Sequence, residues 1–162
     1  MFRAMRRKKQ ELPKEETIAI IKRATSGVLA VLGDDGYPYA VPLSHFYNDG
    51  KLYFHCAVEG HKLDAIQNCE KASFCVVDQD EVVPEKYSTN YRSAIAFGRI
   101  RILKDEEEIY SAIDKLAQRF NPGDDEGRAK EIAQSMNRLC VLEMTIEHMT
   151  GKEARELMER RG

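Results

Sequence analysis

The pattern of apolar and polar positions predicts a chain built mainly of β-strands. Runs with the composition of strands cover residues 27–32, 37–47, 52–56, 72–78, 91–103 and 139–148. Tight turn signals at 33–36 and 48–50 separate the first three runs and predict an antiparallel meander. The polar, proline-containing segment 79–90 predicts a long loop between the fourth and fifth strands.

Two prolines set the second strand candidate apart. Pro38 and Pro42 each lack the N–H that a β-ladder requires, so we expect residues 37–47 to form an edge strand or to be bulged. Backbone groups freed from the ladder can face a ligand. An edge that is irregular for no functional reason explains the pattern equally well. Gly98, in the fifth strand candidate, likewise predicts a bulge or a close backbone approach.

Segments with helical periodicity surround the strands. Pro13 opens the first, which ends near residues 25–27, and the others cover 61–68, 105–120 and, more weakly, 125–137. About six strands with tight turns and peripheral helices favour a small closed or partly closed antiparallel barrel.

Composition narrows the class of protein. The chain has 162 residues, of which 43% are hydrophobic and 32% charged, with a net charge of -2. We therefore expect one globular domain over residues 1–162, with a basic arm at 1–10 and a charged tail at 152–162. We expect binding neither to nucleic acid nor to membranes, and a cytoplasmic location. The four cysteines lie far apart in sequence and are interpreted as free thiols.

Histidine and cysteine positions do not favour a metal site. His45 and His55 are candidates for neighbours across the hairpin at 48–50, with Cys56 nearby. However, consecutive strand residues point to opposite faces, so His55 and Cys56 cannot share one site. The same geometry argues against a Cys–His nucleophile pair.

The stretch 51–68 carries the strongest chemical signal. An apolar strand ends at a turn around Gly60, and His61 and Lys62 open the helix that follows. A helix N-terminus favours an anion, and a lysine and a histidine there add to that preference. Two interpretations remain: a phosphate site, and an ordinary strand–turn–helix connection with a solvated lysine and a surface histidine.

Several segments together resemble a known family. Residues 27–31, 36–43, 52–62 and 92–98 are similar to the pyridoxamine 5′-phosphate oxidase-like, FMN-binding split-barrel superfamily, and nearest to its nitroimidazole-resistance (Nim-type) flavoproteins. The resemblance extends roughly from the start of the chain to residue 150. It implies a mainly β, six-stranded antiparallel split barrel with peripheral helices. It also implies a homodimer with two FMN molecules at the subunit interface.

The resemblance assigns cofactor binding to short segments of the chain. Residues 41–43 would present strand backbone to the isoalloxazine ring, 55–57 would line the strand leading to the phosphate, and 60–62 would hold the phosphate. The positions implied are Val41, Pro42, Leu43, His55, Cys56, Ala57, Gly60, His61, Lys62, Arg92 and Ser93. Lys62 would be the charged phosphate contact, and Arg92 and Ser93 would reach the flavin from the same or the partner subunit. His61 matches a proposed active-site residue of Nim-type proteins.

The function implied is an FMN-dependent oxidoreductase, specifically a nitroreductase that passes electrons from NAD(P)H to a nitroaromatic or nitroimidazole compound. The tail at 152–162 lacks the Arg/His set of the vitamin B6 oxidases, which argues against pyridoxamine phosphate as the substrate. One alternative is a non-catalytic flavin- or haem-binding protein on the same barrel. A structural dimer without a ligand is another.

Overall fold

One curved antiparallel sheet of eight strands organises the computed structural model, which describes residues 1–159. The strands are β1 (Glu11–Leu12), β2 (Ser26–Leu32), β3 (Pro38–Ser44), β4 (Phe46–Asn48), β5 (Lys51–Ala57), β6 (Lys71–Val83), β7 (Ser88–Ile102) and β8 (Leu139–Glu153). The helices are α1 (Lys14–Arg23), α2 (His61–Asn68), α3 (Glu106–Phe120), α4 (Asp125–Ser135) and α5 (Arg155–Glu159). Hydrogen bonding orders the strands β3-β2-β6-β7-β8-β5-β4, and β1 pairs with β8.

The two ends of this order are joined in the chain by a single residue. β3 and β4 lie at opposite ends of the sheet, yet only His45 separates them in sequence. The sheet must therefore curve until its ends approach each other, which makes a barrel split between β3 and β5. Both predicted hairpins form, since β2 pairs with β3 and β4 pairs with β5. Within residues 1–159 no ladder joins β3 to β5, so the middle strand of the predicted meander is broken at His45. β3 is an edge strand, as its prolines predict, and the mainly β split barrel is confirmed with eight strands rather than six.

The hairpin of β6 and β7 extends further than the sequence indicates. Residues 79–90, predicted as a loop, continue both strands, and only Pro84–Lys86 and Tyr87 make the turn. Polar residues there face each other across the ladder, and the Asn90 amide donates to Glu81 at 3.1 Å. A ladder is built from backbone groups, so a strand without a buried apolar face carries no apolar signal in sequence.

The barrel interior and two helices form the main core. Its largest fully buried side chains include Phe54, Phe74, Leu29 and Leu52 from the sheet and Ile20 and Ile21 from α1. α2 adds Leu63 and Ile66. The bulge predicted at Gly98 is present, and a Cβ at that position would collide with the backbone oxygen of Thr145. Glycine is required there because β7 and β8 approach too closely for a side chain.

α3 and α4 pack outside the barrel, against each other and against β5 and β8. They bury a second, smaller apolar cluster of Leu103, Ala112, Ile113, Ile132 and Val141. α3 begins after Asp105, whose carboxylate accepts from the Glu108 amide at 2.9 Å. α4 ends at Ser135, two residues before its predicted end.

This helical cover changes the environment of the outer face of β8. The alternation of apolar and polar residues in β8 predicts that Glu143 lies on the polar face, but Glu143 is only 5% exposed. Glu143 accepts hydrogen bonds from Lys51 at 3.1 Å, Tyr53 at 3.0 Å and Arg101 at 2.9 Å. Burial opposes ionisation, but these three donors outweigh it and hold the pKa of Glu143 below its ordinary value.

Both ends of the described chain contact the sheet. The predicted basic arm at 1–10 packs in part on the sheet, since Phe2 stacks on His148 at 4.8 Å and buried Gln10 donates to the Glu153 carbonyl at 3.0 Å. Of the predicted charged tail, residues 152 and 153 complete β8 and 155–159 are helical, while 160–162 lie outside the described residues. No helix among residues 1–159 is long and apolar enough to cross a bilayer.

Candidate functional site

The turn between β5 and α2 has the geometry of an anion site. Gly60 adopts φ 133° and ψ 164°, a conformation open to glycine and strained for other residues. The amides of Leu63 and Asp64 donate to the Gly60 carbonyl, which leaves those of His61 and Lys62 ahead of the first intrahelical bond. Within residues 1–159 no side chain caps this helix start.

His61 connects this turn to the β2–β3 hairpin. Its ring lies 4.2 Å from the Tyr39 ring, centroid to centroid, and its Nε2 is 3.6 Å from a carboxylate oxygen of Asp34. Tyr39 belongs to β3, so this ring contact places the start of the edge strand beside the α2 N-terminus. The His61 side chain remains 40% exposed and accessible to a ligand.

Lys62 is half-buried at the same turn and acts on two thiols. Burial raises the pKa of Cys56 to about 11, and it also raises the pKa of Cys140. The positive charge of Lys62 works in the opposite direction at both sulfurs. The ammonium therefore lies close to the end of β5, where a bound anion would also meet it.

The strands on either side of the split divide their side chains between two faces. Val41 and Leu43 of β3 pack against the core, whereas Pro42 between them is exposed. On β5, Cys56 is buried, whereas His55 and Ala57 are exposed. A ligand in the split would therefore meet the backbone of 41–43 together with the exposed side chains of β5.

Arg92 and Ser93 lie away from these groups within one chain. They are on β7, and β2 and β6 separate β7 from β3. Three strand spacings amount to about 14 Å. Arg92 is instead ion-paired with buried Glu153, at 3.2 Å between its Nε and a carboxylate oxygen. The structure thus brings together the predicted residues of β3, β5 and α2, and leaves Arg92 and Ser93 apart from them.

A cavity of about 670 Å³ adjoins the split. Ser44 and His55 line it from the barrel, and Ile113, Leu116, Phe120 and Ile132 line it from α3 and α4. Arg128 also lines it, with ion pairs to Asp114 at 2.8 Å and Asp125 at 2.7 Å. The cavity is largely apolar and open, which suits a flat organic molecule.

Sequence reasoning missed this cavity and the partners of His61. The helical periodicity of 105–120 predicts an apolar stripe on α3; part of that stripe is buried, but Phe120 is 45% exposed and borders the cavity. Asp34 and Tyr39 carried only turn and strand signals. Their contacts with His61 depend on the curvature of the sheet, which no local pattern encodes.

The outward side of the sheet carries exposed apolar side chains on four strands. We call this surface the outer apolar face, and it consists of Val28, Pro42, Val77, Ile95 and Phe97. Pro42 is exposed, and the other four residues are between 38% and 59% exposed. The register places them on one side, since Val28 pairs with both Pro42 and Cys75, and Cys75 pairs with Ile95. Contiguous apolar surface of this kind is typical of an interface.

An eight-stranded sheet split at an edge strand, with a helix N-terminus beside the split, defines a split-barrel protein. The family model for pyridoxamine 5′-phosphate oxidase matches residues 13–153, and the chain belongs to that family. A search of curated proteins finds no match.

Solved structures share the fold at low sequence identity. A candidate 5-nitroimidazole antibiotic resistance protein from Bacteroides thetaiotaomicron superposes with a TM-score of 0.77 at 22% identity, covering 88% of this chain and 86% of its own. An FAD- and haem-binding protein from Mycobacterium smegmatis gives 0.74 at 22%, covering 95% and 80%. An FAD-binding protein from Mesorhizobium loti gives 0.61 at 24%, covering 90% and 97%.

Proposed function

We propose that this protein is an FMN-dependent oxidoreductase that reduces nitroaromatic compounds, including nitroimidazoles, at the expense of NAD(P)H. One observation carries the proposal. The Tyr39–His61 contact places an uncapped helix N-terminus with Lys62 beside the open edge of β3. That pairing offers a phosphate anchor at one end of a slot formed by strand backbone.

The dimensions of the slot suit FMN. From Tyr39 to Ser44 an extended strand covers about 17 Å, enough for an isoalloxazine ring with its ribityl phosphate. A monophosphate needs one anchor, which the turn at residues 60–62 supplies. FAD would need a further anchor for its second phosphate and adenosine. When bound, the flavin would supply the hydride and electron-transfer chemistry of the reaction.

The chain's own groups would bind the flavin and the substrate and orient them. The His61 and Lys62 amides and the Lys62 ammonium would hold the phosphate. His61, whose side chain is exposed at the same turn, is also proposed as the proton donor of the reaction. The cavity beside Ser44 and His55 would receive the aromatic substrate against Phe120 and its apolar neighbours.

The proposed assembly is a homodimer. A second copy packed on the outer apolar face would cover the exposed apolar side chains of β2, β6 and β7. Ser93 lies two residues from Ile95 on the same side of β7, so the copy that covers this face would also meet Ser93. The partner subunit would thereby bring Ser93 to a flavin that it does not reach within its own chain, whereas Arg92 points to the opposite face of β7, where it pairs with Glu153.

The second candidate is a flavin- or haem-binding protein without turnover. Exposed His55 borders the cavity beside the split, and its imidazole would bind the haem iron. The Mycobacterium smegmatis structure, which is described as binding FAD and haem, has the same fold.

Cofactor binding and turnover are tested on the full chain after removal and readdition of cofactor. We expect FMN to bind more tightly than FAD or hemin, and the bound flavin to be reduced anaerobically by NADH or NADPH and reoxidised by a nitroaromatic compound. Flavin binding without reduction would favour the second candidate, as would a Soret band with hemin alone. Failure to bind any of the three would refute both.

A further inference from the structure

Two cysteines far apart in sequence face each other inside the barrel. Cys56 of β5 is the direct cross-strand partner of Cys140 of β8. Residues directly opposite in an antiparallel pair point to the same face, and here that face is the core. Cys56 is 9% exposed and Cys140 is partly buried against the same core cluster.

The register alone meets the distance requirement of a disulfide. Directly opposed residues of antiparallel strands have Cα atoms about 4.5–5.5 Å apart. A disulfide requires roughly 4.4–6.8 Å between Cα atoms, and this register satisfies that requirement. The two thiols are also close enough to shift each other's pKa.

The other cysteines have no such arrangement. Cys75 pairs with Val28 on one side and Ile95 on the other, and Cys69 lies between α2 and β6 outside any ladder. They therefore serve as internal controls in the same molecule.

We propose that Cys56 and Cys140 form a redox-active pair that closes to an intramolecular cross-strand disulfide when the protein meets a peroxide. The proposal does not depend on a bound flavin. The disulfide would tie the end of β5 to β8 four residues before Gly60, at the base of the anion-binding turn.

The chemistry balances with hydrogen peroxide as the oxidant. The thiolate of Cys140, the more exposed thiol, attacks one peroxide oxygen, and the O–O bond breaks. The other oxygen leaves as hydroxide and takes up the proton that the thiol released, which gives the first water. Cys140 is then a sulfenic acid. The Cys56 sulfur then attacks the Cys140 sulfur, the S–O bond breaks, and a second water leaves. Two thiols lose two electrons and two protons, and the peroxide gains both.

The surroundings set the conditions of this reaction. Burial raises the pKa of both thiols, so little thiolate is present at neutral pH. Lys62 stabilises the thiolate form of each. We therefore expect slow oxidation at neutral pH and faster oxidation as the pH rises.

Peptide mapping of the wild-type chain tests the pair directly. Cleavage after lysine and arginine puts the four cysteines on separate peptides, covering residues 52–62, 63–71, 72–86 and 139–152. The protein is treated with hydrogen peroxide at neutral and alkaline pH, denatured in excess N-ethylmaleimide, digested and analysed by mass spectrometry. We expect a cross-linked species of 52–62 with 139–152 that disappears on reduction with dithiothreitol.

Two matched double variants exclude adventitious oxidation. C69S/C75S retains the proposed pair and should form the same cross-link within the monomer, whereas C56S/C140S retains the control cysteines and should stay fully alkylated. Complete alkylation of Cys56 and Cys140 in the oxidised wild-type protein would overturn the proposal. So would their conversion to sulfinic or sulfonic acids, or cross-links mainly to Cys69, Cys75 or another molecule.

Discussion

At the scale of single residues, the candidate site depends on where a few charged and aromatic groups stand. Lys62 is half-buried at an uncapped helix start, and His61 is held between Tyr39 and Asp34. Neither position is remarkable in the sequence by itself. They matter because they share one turn, where the helix N-terminus and both side chains would act on the same anion.

Lys62→Ala should weaken FMN binding. Hydrogen bonds to charged groups contribute about 1.5–3 kcal/mol, which corresponds to a loss of affinity of roughly 10- to 150-fold. Fluorescence titration with FMN measures the change. Lys62→Arg keeps the charge and should retain most of the affinity, and Lys71→Ala, an exposed lysine on β6, should bind as the wild type does. Equal affinity of Lys62→Ala and wild type would remove Lys62 from the site.

His61→Ala separates a catalytic role from a phosphate-binding role. If His61 donates the proton, turnover at saturating FMN should fall about 100-fold or more, since positioned acid–base groups contribute at least that much. Steady-state kinetics with a nitroaromatic substrate, on samples with measured flavin occupancy, provides the test. Full turnover together with weaker FMN binding would assign His61 to the phosphate alone.

His45 should make folding stability depend on pH. Burial, together with a smaller effect of the positive charge of Arg119, outweighs its hydrogen bond to the Ile21 carbonyl and lowers the pKa of His45 from 6.5 to about 4. The unfolded chain therefore binds a proton near pH 6.5 that the folded chain refuses until about pH 4. Stability is lost as the pH falls through this window, by about 2 kcal/mol between pH 7 and pH 5.

Urea unfolding at several pH values measures this loss, and His45→Gln is the matched control. Nε2 of His45 lies 2.7 Å from the Ile21 carbonyl oxygen, which only accepts, so Nε2 carries the hydrogen. A glutamine amide can donate to the same oxygen but does not titrate. The variant should be less sensitive to pH between 7 and 5, and an equal slope in both proteins would contradict the assignment to His45.

At the scale of elements, a bulge opposite Gly98 offsets two long strands. β7 and β8 pair from Arg92 to Ile102, and the register shifts between Phe97 and Gly98, where Glu147 of β8 is the extra residue. The core-facing side chains of β8 are therefore Leu142, Met144 and Ile146 on one side of the bulge and Met149 on the other. Gly98 admits the close backbone approach at this point, so a single glycine influences which face of β8 meets the core.

Gly98→Ala should destabilise the protein by about 1–3 kcal/mol, because the added methyl group collides with backbone of β8 that cannot move without breaking the ladder. Thermal unfolding measures the size, and amide hydrogen exchange localises it to β7 and β8. Gly36→Ala adds the same methyl in open space but at a φ of 77°, so its strain is confined to the β2–β3 turn and should leave exchange in β7 and β8 unchanged. Unaltered exchange around Gly98 in Gly98→Ala would show that the strands tolerate the side chain.

At the scale of the whole molecule, the outer apolar face is the feature that one chain leaves open. Its side chains lie on one side of the sheet, and the side chains of the opposite side pack in the core. Covering such a face with a second copy removes apolar area from water and shields part of the sheet. The proposed flavin site would then depend on assembly.

Ile95→Lys should convert the proposed dimer to a monomer and weaken FMN binding, since a charge in the centre of an apolar interface is costly to bury. Light scattering during size-exclusion chromatography gives the molar mass, and titration gives the affinity. Tyr110→Lys places the same charge at an exposed position on α3, away from this face, and should preserve both properties. A wild-type protein that is monomeric at all concentrations would reject the dimer itself.

The sequence determined most of the elements and the chemistry of the turn. Periodicity located the helices within a few residues, and the prolines of β3 predicted an edge strand because a missing N–H is a local property. Gly60, His61 and Lys62 could be identified together because they are consecutive. These features depend on residues that are close together in the chain, and a sequence pattern shows such residues directly.

The tertiary structure decided which elements meet. The chain crosses from one edge of the curved sheet to the other at His45, and this crossing breaks the middle strand of the predicted meander. The same curvature brings Tyr39 to His61, separates Arg92 and Ser93 from the other predicted site residues, and sets Cys56 opposite Cys140. These contacts join residues distant in sequence, and their geometry is fixed by the packing of the whole barrel rather than by any local preference.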